Sequence, residues 1–206
     1  KVRYSLPNTN DGVVSHLLTP IIPTQGVRRD ENDQSEYIFL VFRGTVDSKE
    51  KVAAAQTFLR DFHWRGIGRE SYDKREAEIL TMVERYLIET PSESITLHVA
   101  GHSLGGCDTQ RALTSIAKMV AAAPEASPWK KLNNVIVTTY NGPRVNPTCN
   151  EELKTAIRTI AQRKENGEEI NIRFDLDHIR YFCTQYPDHI QELGDILLGA
   201  DLHGGT

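Results

Sequence analysis

The chain has 206 residues, of which 39% are apolar and 25% are charged, and its formal net charge is −4. A chain of this length predicts one domain, spanning residues 1–206, rather than two. The small negative charge and the scattered Lys and Arg residues argue against a nucleic-acid partner. The sequence has no apolar run long enough to span a membrane, and no signal-peptide pattern opens it.

The three cysteines, Cys107, Cys149 and Cys183, are far apart and form no C-x-x-C pair. An odd number at this spacing argues against both a disulfide framework and a zinc site. We therefore expect three reduced thiols that are buried or half-buried, and reduced thiols favour a cytoplasmic location.

The first third of the chain predicts two strands and one helix. Residues 1–12 are polar and predict a loose leader, whereas the β-rich residues 13–22 predict an early strand. The near-continuous apolar run Tyr37–Phe42 predicts a strand that is buried on both faces. A helix is predicted over residues 51–59. Residues 62–68 combine aromatic side chains with two glycines, which fits either a cover over the site or a surface connector.

The most informative stretch lies near the middle of the chain. Residues of β character, Ile95–Val99, lead into the sequence G-H-S-L-G at Gly101–Gly105, and an apolar-periodic helix follows. Strand, tight turn and helix in this order form the context that makes G-x-S-x-G a nucleophile elbow. The turn strains the backbone of Ser103, and its glycines lack the Cβ atoms that would collide where strand and helix pass. An activated serine also requires a base and an oxyanion hole.

A second glycine-containing turn, Arg43-Gly44-Thr45, comes directly after the Tyr37–Phe42 strand. An oxyanion hole needs backbone N–H donors from two such turns. We expect these donors to be Thr45 and Leu104, the residue that follows Ser103. The Thr45 hydroxyl would add a third donor.

Apolar residues at helical spacing predict three longer helices. One has Ser71 as its N-cap, one follows the elbow, and one has Asn150 as its N-cap. Residues 134–140 predict a strand, and residues 172–174 and 179–183 predict two strands or one interrupted strand. The predicted core positions of the helices are Ile79, Met82, Val83, Tyr86 and Leu87, then Leu113, Ile116, Ala117, Val120 and Ala121, then Leu153, Ala156, Ile157, Ile160 and Ala161.

Strands that alternate with helices predict a parallel sheet, and sites in such sheets form at the carboxyl ends of the strands. Thr45, Ser103, Gly142 and Asp188 all fall just after predicted strands. We therefore expect one site at this edge of the sheet.

Three motifs occur in order along the chain: Phe42-Arg-Gly-Thr45, Gly101-His-Ser-Leu-Gly-Gly106 and Asn141-Gly-Pro-Arg-Val145. Together they resemble the class 3 lipase family of α/β-hydrolases, over roughly residues 37–200. The resemblance implies an α/β-hydrolase fold, in which helices flank a mostly parallel central sheet. It also implies the roles given above to the elbow serine and to the two oxyanion-hole amides.

The resemblance further implies a catalytic aspartate after the next strand, in a D-x-[IV] context. Two positions match this context, Asp177-His-Ile and Asp188-His-Ile. Residues 179–184 make the better strand and place Asp188 in the turn beyond it, whereas Asp177 would precede that strand at the opposite end of the sheet. We therefore prefer Asp188 as the acid and keep Asp177 as the alternative.

The catalytic base is expected to follow the acid in the sequence, which leaves His203 as the candidate. Three alternatives stay open: His203 serves in a shortened arrangement, the base lies beyond Thr206 in a fold truncated at its C-terminus, or no base exists. The other histidines precede the elbow, lie within its strand or turn, or adjoin the two acids: His16, His63, His98, His102, His178 and His189.

These residues predict a serine hydrolase that cleaves carboxylic esters of lipids, of the lipase or phospholipase A type, through an acyl-enzyme. The expected catalytic residues are Ser103, Asp188 and His203, and we expect neither an organic cofactor nor a metal. The expected partner is a lipid or ester substrate, including one held at a membrane or lipid surface, and the sequence indicates no oligomeric state. The alternative is a non-catalytic binding or scaffold module of the same family that lacks a working histidine.

Overall fold

A computed structural model describes residues 2–6, 15–18, 36–44, 69–142, 145 and 147–181. The described strands form one six-stranded sheet whose spatial order is the order of the sequence. The first three strands pair antiparallel, and the third to the sixth pair parallel, so the fold is α/β with a mostly parallel sheet, as predicted. The strands are β1 (Val2–Leu6), β2 (Ser15–Leu18), β3 (Glu36–Phe42), β4 (Ile95–His102), β5 (Leu132–Gly142) and β6 (Arg173–Tyr181).

Three long helices connect the parallel strands: α1 (Arg69–Glu89), α2 (Leu104–Ala122) and α3 (Pro147–Glu165). A short 3-10 helix, Pro128–Lys131, precedes β5. Each step from β3 to β6 moves one strand in the same direction, and parallel crossovers are right-handed, so all three helices belong on one face of the sheet. In agreement, α2 packs on β3, β4 and β5 and also contacts both α1 and α3. None of the described helices is long and apolar enough to cross a membrane.

The two faces of strand β3 are buried to different extents. On β3, the helix-facing residues Ile38, Leu40 and Phe42 are buried, whereas Phe39 and Val41 between them are only half-buried. The prediction that this strand is buried on both faces was therefore wrong for one face. The predicted helix core was confirmed at every position except Ala121 and Ala161, the last of their sets, which are half-buried.

Helix α2 is buried all round, which its apolar spacing did not predict. Its polar residues Gln110, Arg111, Thr114 and Ser115 are at most 5% exposed, because the sheet and both neighbouring helices surround them. Some of these buried polar groups have hydrogen-bond partners in the neighbouring helix. The Ser115 hydroxyl donates to a carboxylate oxygen of Glu76 on α1 at 2.6 Å. The helix is therefore enclosed from Gly105 to Ala117, whereas its last turn is partly exposed.

The end of α2 is held by one side chain from α3. The Arg163 guanidinium donates to the backbone carbonyls of Ala121 at 2.7 Å and Ala123 at 2.8 Å. It also pairs with Glu168, which raises the pKa of Arg163 through their hydrogen bond. A cation at a helix C-terminus satisfies carbonyls that have no partner inside the helix and opposes the negative end of the helix dipole.

The predicted leader at residues 1–12 was wrong, because Val2–Leu6 forms the edge strand β1. Tyr4 ties this strand to α1: its hydroxyl donates to Glu89, and the Arg85 guanidinium lies 5.2 Å from the centre of its ring. These contacts join residues that are far apart in the sequence, so a local reading of polar residues does not reveal them. Of the strand predicted over residues 13–22, the structure describes Ser15–Leu18 as β2, and the rest lies outside the described residues.

Two predicted N-caps were also wrong, since both helices begin earlier. Helix α1 begins at Arg69, which pairs with Asp73 across the first turn at 3.3 Å, so Ser71 lies inside the helix. Helix α3 begins at Pro147, whose fixed φ suits the first position of a helix, so Asn150 is already helical.

The last described strand contains Asp177, which the sequence had placed before it. Thr138 of β5 pairs with His178 although Ile136 pairs with Asp175, so β6 holds one extra residue there, as in a β-bulge. Asp177 is exposed, and its amide donates to Oδ1 of Asp175 at 3.2 Å. The two strands or one interrupted strand predicted over residues 172–183 are, over the described residues, one continuous strand with a bulge, and Asp177 lies within it.

Cys107 and Cys149 are free and buried, as predicted, and burial raises the pKa of the Cys149 thiol. Cys183, the predicted helix at 51–59 and the segment 62–68 lie outside the described residues.

Candidate active site

The elbow (Gly101–Gly105) joins β4 to α2 without a loop, as the sequence predicted. Strand β4 ends at His102, helix α2 begins at Leu104, and Ser103 alone makes the turn. Ser103 has φ 54° and ψ −125°, and it is the single non-glycine residue with positive φ in the part of the chain that the structure describes. Such a backbone conformation costs about 1–3 kcal/mol and is retained only where the surroundings enforce it.

The Ser103 hydroxyl is not used to stabilise the helix that it precedes. Serine at the N-cap position normally accepts a hydrogen bond from the first turn, yet Ser103 makes no side-chain capping bond. Its backbone N–H donates instead to the carbonyl oxygen of Tyr140 on β5, at 2.9 Å. The side chain is half-buried, so the turn presents the hydroxyl at the sheet edge while the backbone is fixed to β5.

The first turn of α2 offers backbone donors next to this hydroxyl. The first four N–H groups of a helix have no acceptor within it, and Leu104 is the first helical residue. The Gly106 amide is already occupied, because it donates to the Ser103 carbonyl at 2.8 Å. The Leu104 amide lies in this first turn, and its role as an oxyanion donor stays a prediction; the positive end of the α2 dipole favours negative charge at this position.

Two glycines of the elbow are required by steric contact between strand and helix. A Cβ on Gly101 would lie 2.1 Å from the Gly105 carbonyl oxygen and 2.5 Å from the Thr109 hydroxyl. A Cβ on Gly105 would lie 2.6 Å from the carbonyl oxygen of Phe42, at the end of β3. Since real Cβ contacts essentially never fall below 3.0 Å, both positions exclude any other residue without a shift of the backbone.

The turn after β3 lies directly against the elbow. A Cβ on Gly44 would lie 2.7 Å from the backbone carbonyl oxygen of His102 and 3.5 Å from its Nδ1. The two glycine-containing turns that the sequence paired are therefore in contact. Thr45, the predicted second oxyanion donor, follows Gly44 immediately and lies outside the described residues.

The other predicted members of the site, Asp188 and His203, also lie outside the described residues. The alternative acid, Asp177, is exposed within β6 rather than at its carboxyl end. The structure therefore brings together Ser103, Leu104 and the Gly44 turn, and it moves Asp177 away from the position expected of a catalytic acid.

Three of the four described histidines lie far from Ser103. His98 precedes Ser103 by five residues on β4, which is about 16 Å along the strand. His16 and His178 are in register with Ala100, so each lies about 10 Å below Ser103 and two strands away from it. His102 adjoins the serine, but its ring lies against the Gly44 turn.

His98 instead contacts side chains on the face of the sheet without described helices. Its Nε2 lies 2.8 Å from the Thr138 hydroxyl, and its ring lies 5.4 Å from that of Phe39, measured between ring centres. Burial lowers the pKa of His98, His178 lowers it further, and Asp175 opposes both effects. The surroundings of His98 within the sheet therefore disfavour its charged form.

Tyr140 also lies beside the elbow, although its sequence position alone does not single it out. It pairs with His102 in the β4–β5 register and is 58% exposed. In the sequence, Tyr140 is the last residue of the predicted strand 134–140 and directly precedes the Asn141–Val145 motif.

No protein-family model matches this chain, and neither the curated proteins nor the solved structures contain a match to it. The resemblance to class 3 lipases therefore rests on the three sequence motifs. Across the described ranges, no three His, Cys, Asp or Glu side chains gather into a group that would hold a metal ion.

The contact at Gly101 makes a stability prediction. Gly101→Ala should lower the free energy of unfolding by about 3 kcal/mol or more, because the added methyl group has no space between β4 and α2. Urea unfolding followed by circular dichroism measures this change.

Gly167→Ala is the matched control. Gly167 has φ 88° but nothing within 4 Å of an added Cβ, so only the backbone conformation is penalised, at about 1–2 kcal/mol. Equal losses in the two variants would show that the elbow tolerates a side chain at residue 101.

Proposed function

We propose that this protein is a serine hydrolase that cleaves carboxylic esters of lipids, of the lipase or phospholipase A type. The observation that carries the proposal is the conformation of Ser103, whose positive φ lies between a strand and a helix and whose hydroxyl makes no capping bond. Strained backbone conformations of this kind cluster at active sites, and the strand-turn-helix context is that of a nucleophile elbow.

The finer fold assignment, an α/β-hydrolase fold of the class 3 lipase type, is part of the same proposal. It is supported by the three motifs and by the contact between the elbow and the Gly44 turn. It is also supported by the position of the elbow at the carboxyl edge of a parallel sheet, where α/β proteins place their sites.

In the proposed reaction, the Ser103 Oγ attacks the ester carbonyl carbon while a base accepts its proton. The Leu104 and Thr45 amides hold the negative charge that develops on the carbonyl oxygen. When the carbon–oxygen bond of the ester breaks, the base returns the proton to the departing alcohol. Water then attacks the acyl-enzyme with the same base, which releases the fatty acid and regenerates the serine.

We assign the base to His203 and the acid that orients it to Asp188, with a histidine beyond residue 206 as the alternative base. No cofactor enters the proposed reaction, and the substrate is an ester-bearing lipid, free or at a lipid surface. The competing function is a non-catalytic binding or scaffold module. It is favoured by one observation, namely that His16, His98 and His178 lie far from Ser103, while the ring of the adjoining His102 lies against the Gly44 turn.

A fluorophosphonate probe tests the proposal, because such a probe labels only an activated serine. We expect stoichiometric labelling of the wild type on the peptide that contains Ser103, and none with Ser103→Ala. Ser94→Ala is the control, since Ser94 is a half-buried serine just before the amino end of β4, and it should leave labelling unchanged. A folded wild type without label would support the scaffold function instead.

The choice of acid gives a second prediction. Asp188→Asn should slow both labelling and ester hydrolysis by about a hundredfold to ten-thousandfold, since the amide would hold the imidazole in the wrong tautomer. Asp177→Asn should change either rate less than twofold, because Asp177 lies within β6. The reverse pattern, measured under identical conditions, would contradict the assignment.

A further inference from the structure

The elbow has different neighbours on its two sides. On the β3 side, the Gly44 turn touches the backbone of His102. On the β5 side, the carbonyl of Tyr140 accepts the Ser103 amide at 2.9 Å, and Tyr140 is the register partner of His102. Tyr140 is therefore the residue of β5 whose backbone is hydrogen-bonded to the serine, one strand spacing away.

The side chain of Tyr140 lies on the open face of the sheet. Paired residues of neighbouring strands share a face, so Tyr140 and His102 lie on the face opposite α1, α2 and α3. Both are exposed, Tyr140 by 58%. The one other large apolar side chain exposed among the described residues is Ile88, at 65%, near the end of α1 and away from the carboxyl edge.

The direction of the oxyanion decides which part of the substrate meets this ring. If the carbonyl oxygen is held by the amides proposed for the oxyanion hole, the acyl chain and the alcohol must leave the tetrahedral carbon in other directions. One of these directions leads toward β5, where the Tyr140 ring is the exposed surface. An aromatic ring offers a large apolar contact with a polar hydroxyl at one end.

We propose that Tyr140 is a specificity-determining residue that packs against the apolar chain of the ester substrate. The proposal rests on the proposed function of Ser103. It adds the residue that sets the preference of the hydrolase for substrate chain length. A chain that packs along the ring gains affinity for each methylene group that leaves water, up to about fourfold per group. Short esters do not reach the ring and gain nothing from it.

The test compares wild type with Tyr140→Ala, Tyr140→Phe and Ile88→Ala in the full chain. Two ester series are used, one with a constant nitrophenol and acyl chains from acetyl to octanoyl, the other with a constant acetyl group and alcohols of increasing length. We expect Tyr140→Ala to reduce kcat/KM for the longest ester of one series by about tenfold or more, and for the shortest by less than twofold. The series that responds identifies whether the acyl chain or the alcohol contacts the ring.

The controls separate this proposal from the proposed function. Tyr140→Phe keeps the ring and should keep the chain-length preference, and Ile88→Ala should behave as wild type. If Ser103 is labelled by the fluorophosphonate but Tyr140→Ala keeps the wild-type preference in both series, the role of Tyr140 is contradicted while the hydrolase proposal stands. If wild type is not labelled and cleaves no ester, the hydrolase proposal fails, and the role of Tyr140 fails with it.

Discussion

The close approach of three backbone segments at one point is the constraint on which the rest of the structure depends. The end of β3, the end of β4 and the first turn of α2 meet at Gly44, Gly101 and Gly105, and none of these positions has space for a Cβ atom. Because strand and helix are so close, a single residue must reverse the chain between them. That residue is Ser103, and its positive φ follows from the geometry.

The strained turn is stable because the elements around it are fixed independently. Helix α2 is buried by the sheet, α1 and α3, and Arg163 binds the carbonyls at its far end. Strand β4 lies in the middle of the sheet between β3 and β5. At the carboxyl edge of the sheet, Ser103 therefore has the Gly44 turn on its β3 side and Tyr140 on its β5 side.

The sequence predicted well what depends on local pattern. The elbow, the core positions of the three helices and the alternation of strands and helices all follow from residues close together in the chain. The errors arose where distant residues decide the outcome. Tyr4 makes β1 a strand by contacting α1, and the pairing of β6 with β5 places Asp177 inside a bulged strand. The position of Tyr140 likewise depends on strand register, which a single sequence does not display.

The most direct measurement of the central claim is a pre-steady-state experiment on ester cleavage. Wild-type protein is mixed with a nitrophenyl ester, the release of nitrophenol is followed, and the quenched protein is analysed by peptide mass spectrometry. A hydrolase that acts through Ser103 should release a burst of about one nitrophenol per chain when deacylation is slow, and the acyl group should be found on the Ser103 peptide. If the protein is folded but gives no turnover, or if it turns over and the acyl group is trapped on a different residue, Ser103 is not the nucleophile.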